Sequence, residues 1–95
     1  AGANTTLAVI ACNADLSSVE CKRIAMMAHD GMARAVRPAH TPFDGDTVFA
    51  VASGQQAIGQ GNARQVQIGR LGSAAADCLA RAIARAVHVS GPQNL

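Results

Sequence analysis

Ninety-five residues make one domain at most, and a chain this short buries only about 60% of its unfolded surface. A net charge of +2 on scattered basic residues, with two aromatics and no Trp or Tyr, excludes the clustered cations and stacking rings of a nucleic-acid binder. No apolar run reaches the ~18 residues of a membrane span, and no basic region precedes the first apolar run as in a signal peptide, so a cytoplasmic protein with neither nucleic acid nor membrane as partner is expected.

The first element predicted is a strand over Thr5 to Cys12, TTLAVIAC, whose β-branched residues and unbroken apolar run suit a strand buried on both faces. Asn13 to Ser18 forms a turn and a helix start. Ser17 and Glu20 have the spacing of a capping box, in which each side chain takes a backbone N–H that the helix leaves orphaned. A helix follows to about Val36. Ile24, Met27, Ala28, Gly31 and Ala35 make its apolar stripe, and Arg23, Asp30 and Arg34 fall nearer the opposite face, with Asp30 and Arg34 spaced to pair. Gly31 costs such a helix roughly 1 kcal/mol against Ala, tolerable where another element packs closely. Pro38 ends the helix.

Residues 37–46, RPAHTPFDGD, form a loop stiffened by Pro38 and Pro42. Thr47 to Ser53, TVFAVAS, is the second clear strand, and the Gly/Gln-rich stretch from Gly54 to Gly61 reads as a turn or mobile loop. Gln65 to Ile68, QVQI, alternates as a short third strand would. A second helix spans about Leu71 to His88, burying Ala75, Cys78, Leu79, Ala82, Ile83, Ala86 and Val87 and exposing Asp77, Arg81 and Arg85. Residues 90–95 form a flexible tail.

The order strand, helix, strand, helix in a single domain over residues 1–95 gives an α/β fold. Two or three strands make a poor sheet alone, and the apolar content of 49% is carried largely by alanine, which buries little area. Both points predict a core completed by another polypeptide. Cys12, Cys21 and Cys78 are an odd count without paired spacing, which disfavours a disulfide framework or a zinc site, so they are taken as small apolar side chains in a reducing compartment. No cofactor or metal is expected.

Three features could carry chemistry. His29, His40 and His88 lack metal-ligand spacing and suit surface or hydrogen-bonded roles, with only His40 close in sequence to two carboxylates. Those carboxylates, Asp44 and Asp46, flank Gly45 just before the second strand. As ordinary turn residues they need mean nothing more, but the glycine would let the backbone bend and bring both acids near one point, as general acid/base assistance requires. Thr5, at the head of the first strand, suits a strand by propensity alone. It becomes a nucleophile only with a free amine, since the α-amino group titrates near ~8 and can take the hydroxyl proton. Ala1 to Asn4 stand before it; while this residual segment is attached, the amine is blocked.

The strings ANTTLAVIA and MAHDGMARAVRPAHTPFDGDTVFAVASG, with the Ala-rich final helix, resemble the self-processing L-aminopeptidase/D-esterase family over roughly residues 3–90. That family includes β-peptidyl aminopeptidases and 6-aminohexanoate oligomer hydrolases. The resemblance implies a four-layer α/β/β/α sandwich like that of N-terminal-nucleophile hydrolases. This chain would be its small C-terminal (β) subunit, and a larger N-terminal (α) subunit of the same precursor would be its partner in an oligomer of αβ units. It implies self-cleavage between Asn4 and Thr5, Thr5 as nucleophile toward a small peptide or amide substrate, and Asp44 and Asp46 as the acidic pair beside it. Other branches carry a serine nucleophile with a Ser/Glu pair, so threonine with Asp-Gly-Asp looks closer to the nylon-oligomer hydrolases, or to uncharacterised members, than to the founding aminopeptidases. Acyltransferases of the ornithine acetyltransferase type share this logic, but their motif around the threonine differs and they lack the HTPFDGD loop. A non-catalytic α/β binding module is the third alternative.

Overall fold

The computed structural model describes the backbone of residues 7–35 and 47–89 and, within these, the side chains of 7–31 and 47–86. Four elements follow in order: β1 (Leu7–Ala14), α1 (Ser18–Ala35), β2 (Thr47–Gln56) and α2 (Gly61–Val89). The strands pair in parallel, from Leu7 against Thr47 to Cys12 against Ala52. A parallel pair needs a long crossover, and α1 lies in that crossover. The strand–helix–strand–helix order and the α/β class expected from the sequence are both present.

The capping box forms as the sequence predicts. The Ser17 backbone N–H donates to Glu20 Oε1 at 2.8 Å, and the Glu20 backbone N–H donates to Ser17 Oγ at 3.2 Å. Of the predicted α1 stripe, Ile24, Ala28 and Gly31 are buried and Met27 half-buried, while Arg23 and Asp30 are exposed. The Ala35 and Arg34 side chains lie outside the description. The core gathers Ile24 and Ala28 of α1 with Ile68, Ala75 and Leu79 of α2, and Ala8, Ile10, Val48 and Ala50 of the strands pack against it. Both helices thus cover one face of the sheet.

Gly31 sits where α1 passes close to the α2 backbone. A Cβ built there would fall on the carbonyl oxygen of Ala76, so only glycine admits the approach; this is the close packing that the mid-helix glycine implied.

Three expectations are corrected. Gln65 to Ile68 is helix, not strand, because α2 begins at Gly61. Ile68 there joins Ala75 and Leu79 at seven- and four-residue steps on one buried stripe, a far stronger signal than four alternating residues. Cys78, Ala82 and Ala86 are exposed, whereas Ala76 is buried, because α2 turns Ala75, Ala76 and Leu79 toward α1. Within this chain the first strand is covered on one face only. Leu7, Val9, Phe49 and Val51 point away from the helices and are 70%, 65%, 56% and 53% exposed.

β2 also runs past the expected Ser53. The register slips after Cys12, so that Ala14 faces Gln56. Gly54, at φ +81°, lies in the longer β2 segment of that irregularity, in a conformation that side-chain-bearing residues rarely adopt. Cys12, Cys21 and Cys78 fall on β1, α1 and α2, and all three are free thiols. Among the described residues no helix is long and apolar enough to cross a membrane.

Candidate active site

Asn4, Thr5, His40, Asp44 and Asp46, the residues singled out for chemistry, lie outside the described residues, as does the His88 side chain. His29 is exposed on α1. Among the described residues, no three His, Cys, Asp or Glu side chains gather as a metal site. What is defined is the frame on which the candidate segments hang. Leu7 opens β1, Thr47 opens β2, and the two are register partners. The strands run parallel, so both enter the sheet at the same end. In the sequence, the Asn4-Thr5-Thr6 segment runs directly into Leu7 and the Asp44-Gly45-Asp46 segment directly into Thr47.

The opposite end of the sheet holds a polar cluster that the sequence did not disclose. Arg64 Nε donates to Glu20 Oε2 at 2.7 Å and its Nη2 to Glu20 Oε1 at 2.7 Å. The guanidinium also donates to the backbone carbonyls of Asp15 at 2.7 Å and Gly59 at 3.1 Å. A forked donor of this kind fits a carboxylate edge-on. Hydrogen bonding from Arg64, aided by the Ser17 backbone N–H, pulls the Glu20 carboxyl down from 4.5 to about 2, and Glu20 in turn raises the affinity of Arg64 for its proton. Nearby, burial and then the charge of Cys12 push the Cys21 thiol up; that disfavours the thiolate a nucleophilic cysteine needs. The residues of this end serve architecture, tying the starts of both helices to the end of β1. The sequence held a single trace of it, the capping glutamate, because Arg64 fell in a stretch taken to lie before the helix.

Residues 1–93 match the model of peptidase family S58. The chain belongs to peptidase family S58. This agrees with the family resemblance drawn from the Thr5 and Asp-Gly-Asp segments. Among relatives in that family's range of names, the chain is 54% identical over 96 aligned positions to an uncharacterized aminopeptidase of Mycobacterium tuberculosis, covering 94% of this chain and 28% of that protein. It is 48% identical over 91 positions to an uncharacterized aminopeptidase of Mycobacterium leprae, covering 88% of this chain and 25% of the relative. It is 44% identical over 50 positions to the 6-aminohexanoate-oligomer endohydrolase of Paenarthrobacter ureafaciens, covering 53% of this chain and 14% of the enzyme. The S58 chain thus spans 28% or less of the length of these relatives.

Proposed function

We propose that this chain is the small C-terminal subunit of a self-processing amide hydrolase, an aminopeptidase or amidase acting on short peptides, amino-acid amides or amino-acid oligomers, with Thr5 as nucleophile. The observation that carries the reading is the pairing of Leu7 with Thr47. Thr5 stands two residues before the first and Asp46 one residue before the second. At about 3.8 Å per peptide unit, these short spacings along the chain support a meeting of the two segments at one strand end. Membership of a peptidase family supports the reaction class, and so do the aminopeptidase and oligomer-endohydrolase names of the relatives.

In the processing step Thr5 Oγ adds to the Asn4 carbonyl carbon, the Asn4–Thr5 C–N bond breaks, and the acyl group moves to oxygen as an ester. Water then releases the Asn4 carboxylate and leaves Thr5 with a free hydroxyl and a free amine. In turnover that amine accepts the Oγ proton as oxygen attacks the substrate amide. The proton passes to the departing amine, and water hydrolyses the acyl-enzyme. Asp44 and Asp46 hold the Thr5 ammonium and steer its proton exchange. The rest of the precursor supplies the larger subunit, the oxyanion-hole donors and the second half of a four-layer sandwich, and the αβ units assemble into an oligomer. The length of the relatives supports a larger partner, and so does the open apolar face of the sheet.

Intact-mass analysis of the complete native protein tests the processing: a small chain beginning at Thr5 is expected beside a larger one. Thr5→Ala should leave the precursor whole and reduce amide hydrolysis by three orders of magnitude or more, on the scale of losing a covalent nucleophile, whereas Thr5→Ser should still cleave. A Thr5→Ala enzyme with unchanged turnover removes the proposal.

A further inference from the structure

The outward side of α1 carries a second apolar stripe that the core does not use. Val19 and Met26, seven residues and so two turns apart, are 72% and 64% exposed. Arg23 and Asp30, also seven apart and on the same flank of Met26, are both exposed, and with Lys22 and Met27 they border a shallow depression of about 380 Å³ around Met26. Arg23 precedes Met26 by three residues and Asp30 follows it by four. The stripe therefore has a positive end, which Lys22 shares with Arg23, and a negative end at Asp30, on either side of an exposed methionine.

We propose that this face of α1 docks on the same face of a second copy of the chain, the two helices running antiparallel about a twofold axis beside Met26. A twofold interface joins one patch to itself, so each residue must suit the partner it meets. Antiparallel pairing lays Arg23 of each copy against Asp30 of the other and brings the two Met26 side chains together. Parallel pairing in the same register sets Arg23 against Arg23 and Asp30 against Asp30, and like charges face to face are disfavoured. Methionine suits such a contact because its unbranched side chain adapts to an irregular partner surface. The inference names the surface of the oligomer proposed above and rests on that part of the reading alone, apart from the Thr5 chemistry.

The test uses the complete protein in sedimentation velocity and native mass spectrometry, with amide hydrolysis and circular dichroism measured on every variant. Met26→Lys is expected to weaken self-association at least tenfold while helix content and turnover per chain stay near wild type. Arg23→Asp and Asp30→Arg should each weaken it, and the double variant Arg23→Asp/Asp30→Arg should recover it, since the swapped charges meet again. Wild-type assembly in Met26→Lys overturns the proposal, as does a double variant no better than the singles. A Met26→Cys protein linked by a short bismaleimide should yield a peptide joining residue 26 to residue 26. Linkage to a different segment shows that another surface covers this face and likewise overturns it. Turnover retained in Thr5→Ala with assembly intact counts against the catalytic reading instead.

Discussion

Arg64, in the first turn of α2, holds both carboxylate oxygens of Glu20 at 2.7 Å across 44 residues of chain. The same guanidinium takes the carbonyls of Asp15 and Gly59, and the same carboxylate closes the α1 capping box. One ion pair thus fixes where two helices begin and where the first strand ends. The two side chains are 18% and 19% exposed, so water competes only in part for these bonds.

This pair sets a pH window for stability. Glu20 in the folded chain stays ionised down to about pH 2, against 4.5 for the free group. A carboxyl whose folded value is depressed contributes fully above the unfolded value and loses its contribution as pH falls through the folded one. Its stabilisation is therefore complete above about pH 4.5 and fades between 4.5 and 2. Thermal unfolding of the complete protein followed across that range should flatten in Glu20→Gln and in Arg64→Ala relative to wild type. Both variants should melt lower at pH 7, with the double variant little worse than either single one. An unchanged slope in Glu20→Gln would mean that the pair does not couple to folding.

Two helical glycines make opposite predictions from one substitution. Alanine is worth about 1 kcal/mol over glycine in a helix interior. At Gly69 a Cβ meets nothing within 4 Å, so Gly69→Ala should stabilise by up to that amount. At Gly31 the Cβ meets the Ala76 backbone, which cannot swing aside as a side chain can. Overpacking of that kind costs about 1–3 kcal/mol, outweighing the helical gain, and Gly31→Ala should lower the melting temperature. Denaturant unfolding of the two variants reads the sign directly; stabilisation by Gly31→Ala would mean that the helices are not this close.

The contrast between these positions shows what a sequence carries locally and what it does not. The capping box was legible because Ser17 and Glu20 stand three residues apart and answer each other without the rest of the fold. Gly31 was legible for the same reason: a glycine amid good helix formers implies a neighbour. Arg64 was not, because its partner is distant in sequence and the QVQI alternation hid the start of α2. The faces of the strands were half legible. An unbroken apolar run announces two covered faces, yet the chain itself covers one. Thr5, Asp44 and Asp46 stood out through the family motif. The register of Leu7 with Thr47, the strand residues that follow those two segments in the sequence, could not be read from either segment alone.

That uncovered face gives the last prediction. Leu7 and Val9 on β1 stand beside Phe49 and Val51 on β2, and Val9 and Phe49 are register partners. Four such side chains on two adjacent strands form a contiguous apolar patch, and patches of this kind mark contact surfaces. Covering a valine fully is worth about 1.5–3 kcal/mol. Sheets that stack face to face lie about 10 Å apart with interdigitated side chains, leaving no room for a charged head at the centre. Val9→Lys or Val51→Lys in the complete protein should therefore lower its melting temperature and its soluble yield. The same lysine in the 95-residue chain expressed alone should raise solubility, because there the face meets water. Opposite signs in the two contexts identify a buried inter-sheet surface. A complete protein that accepts lysine at both positions with unchanged melting would show this face to be open, and the expectation of a second sheet over it would fail.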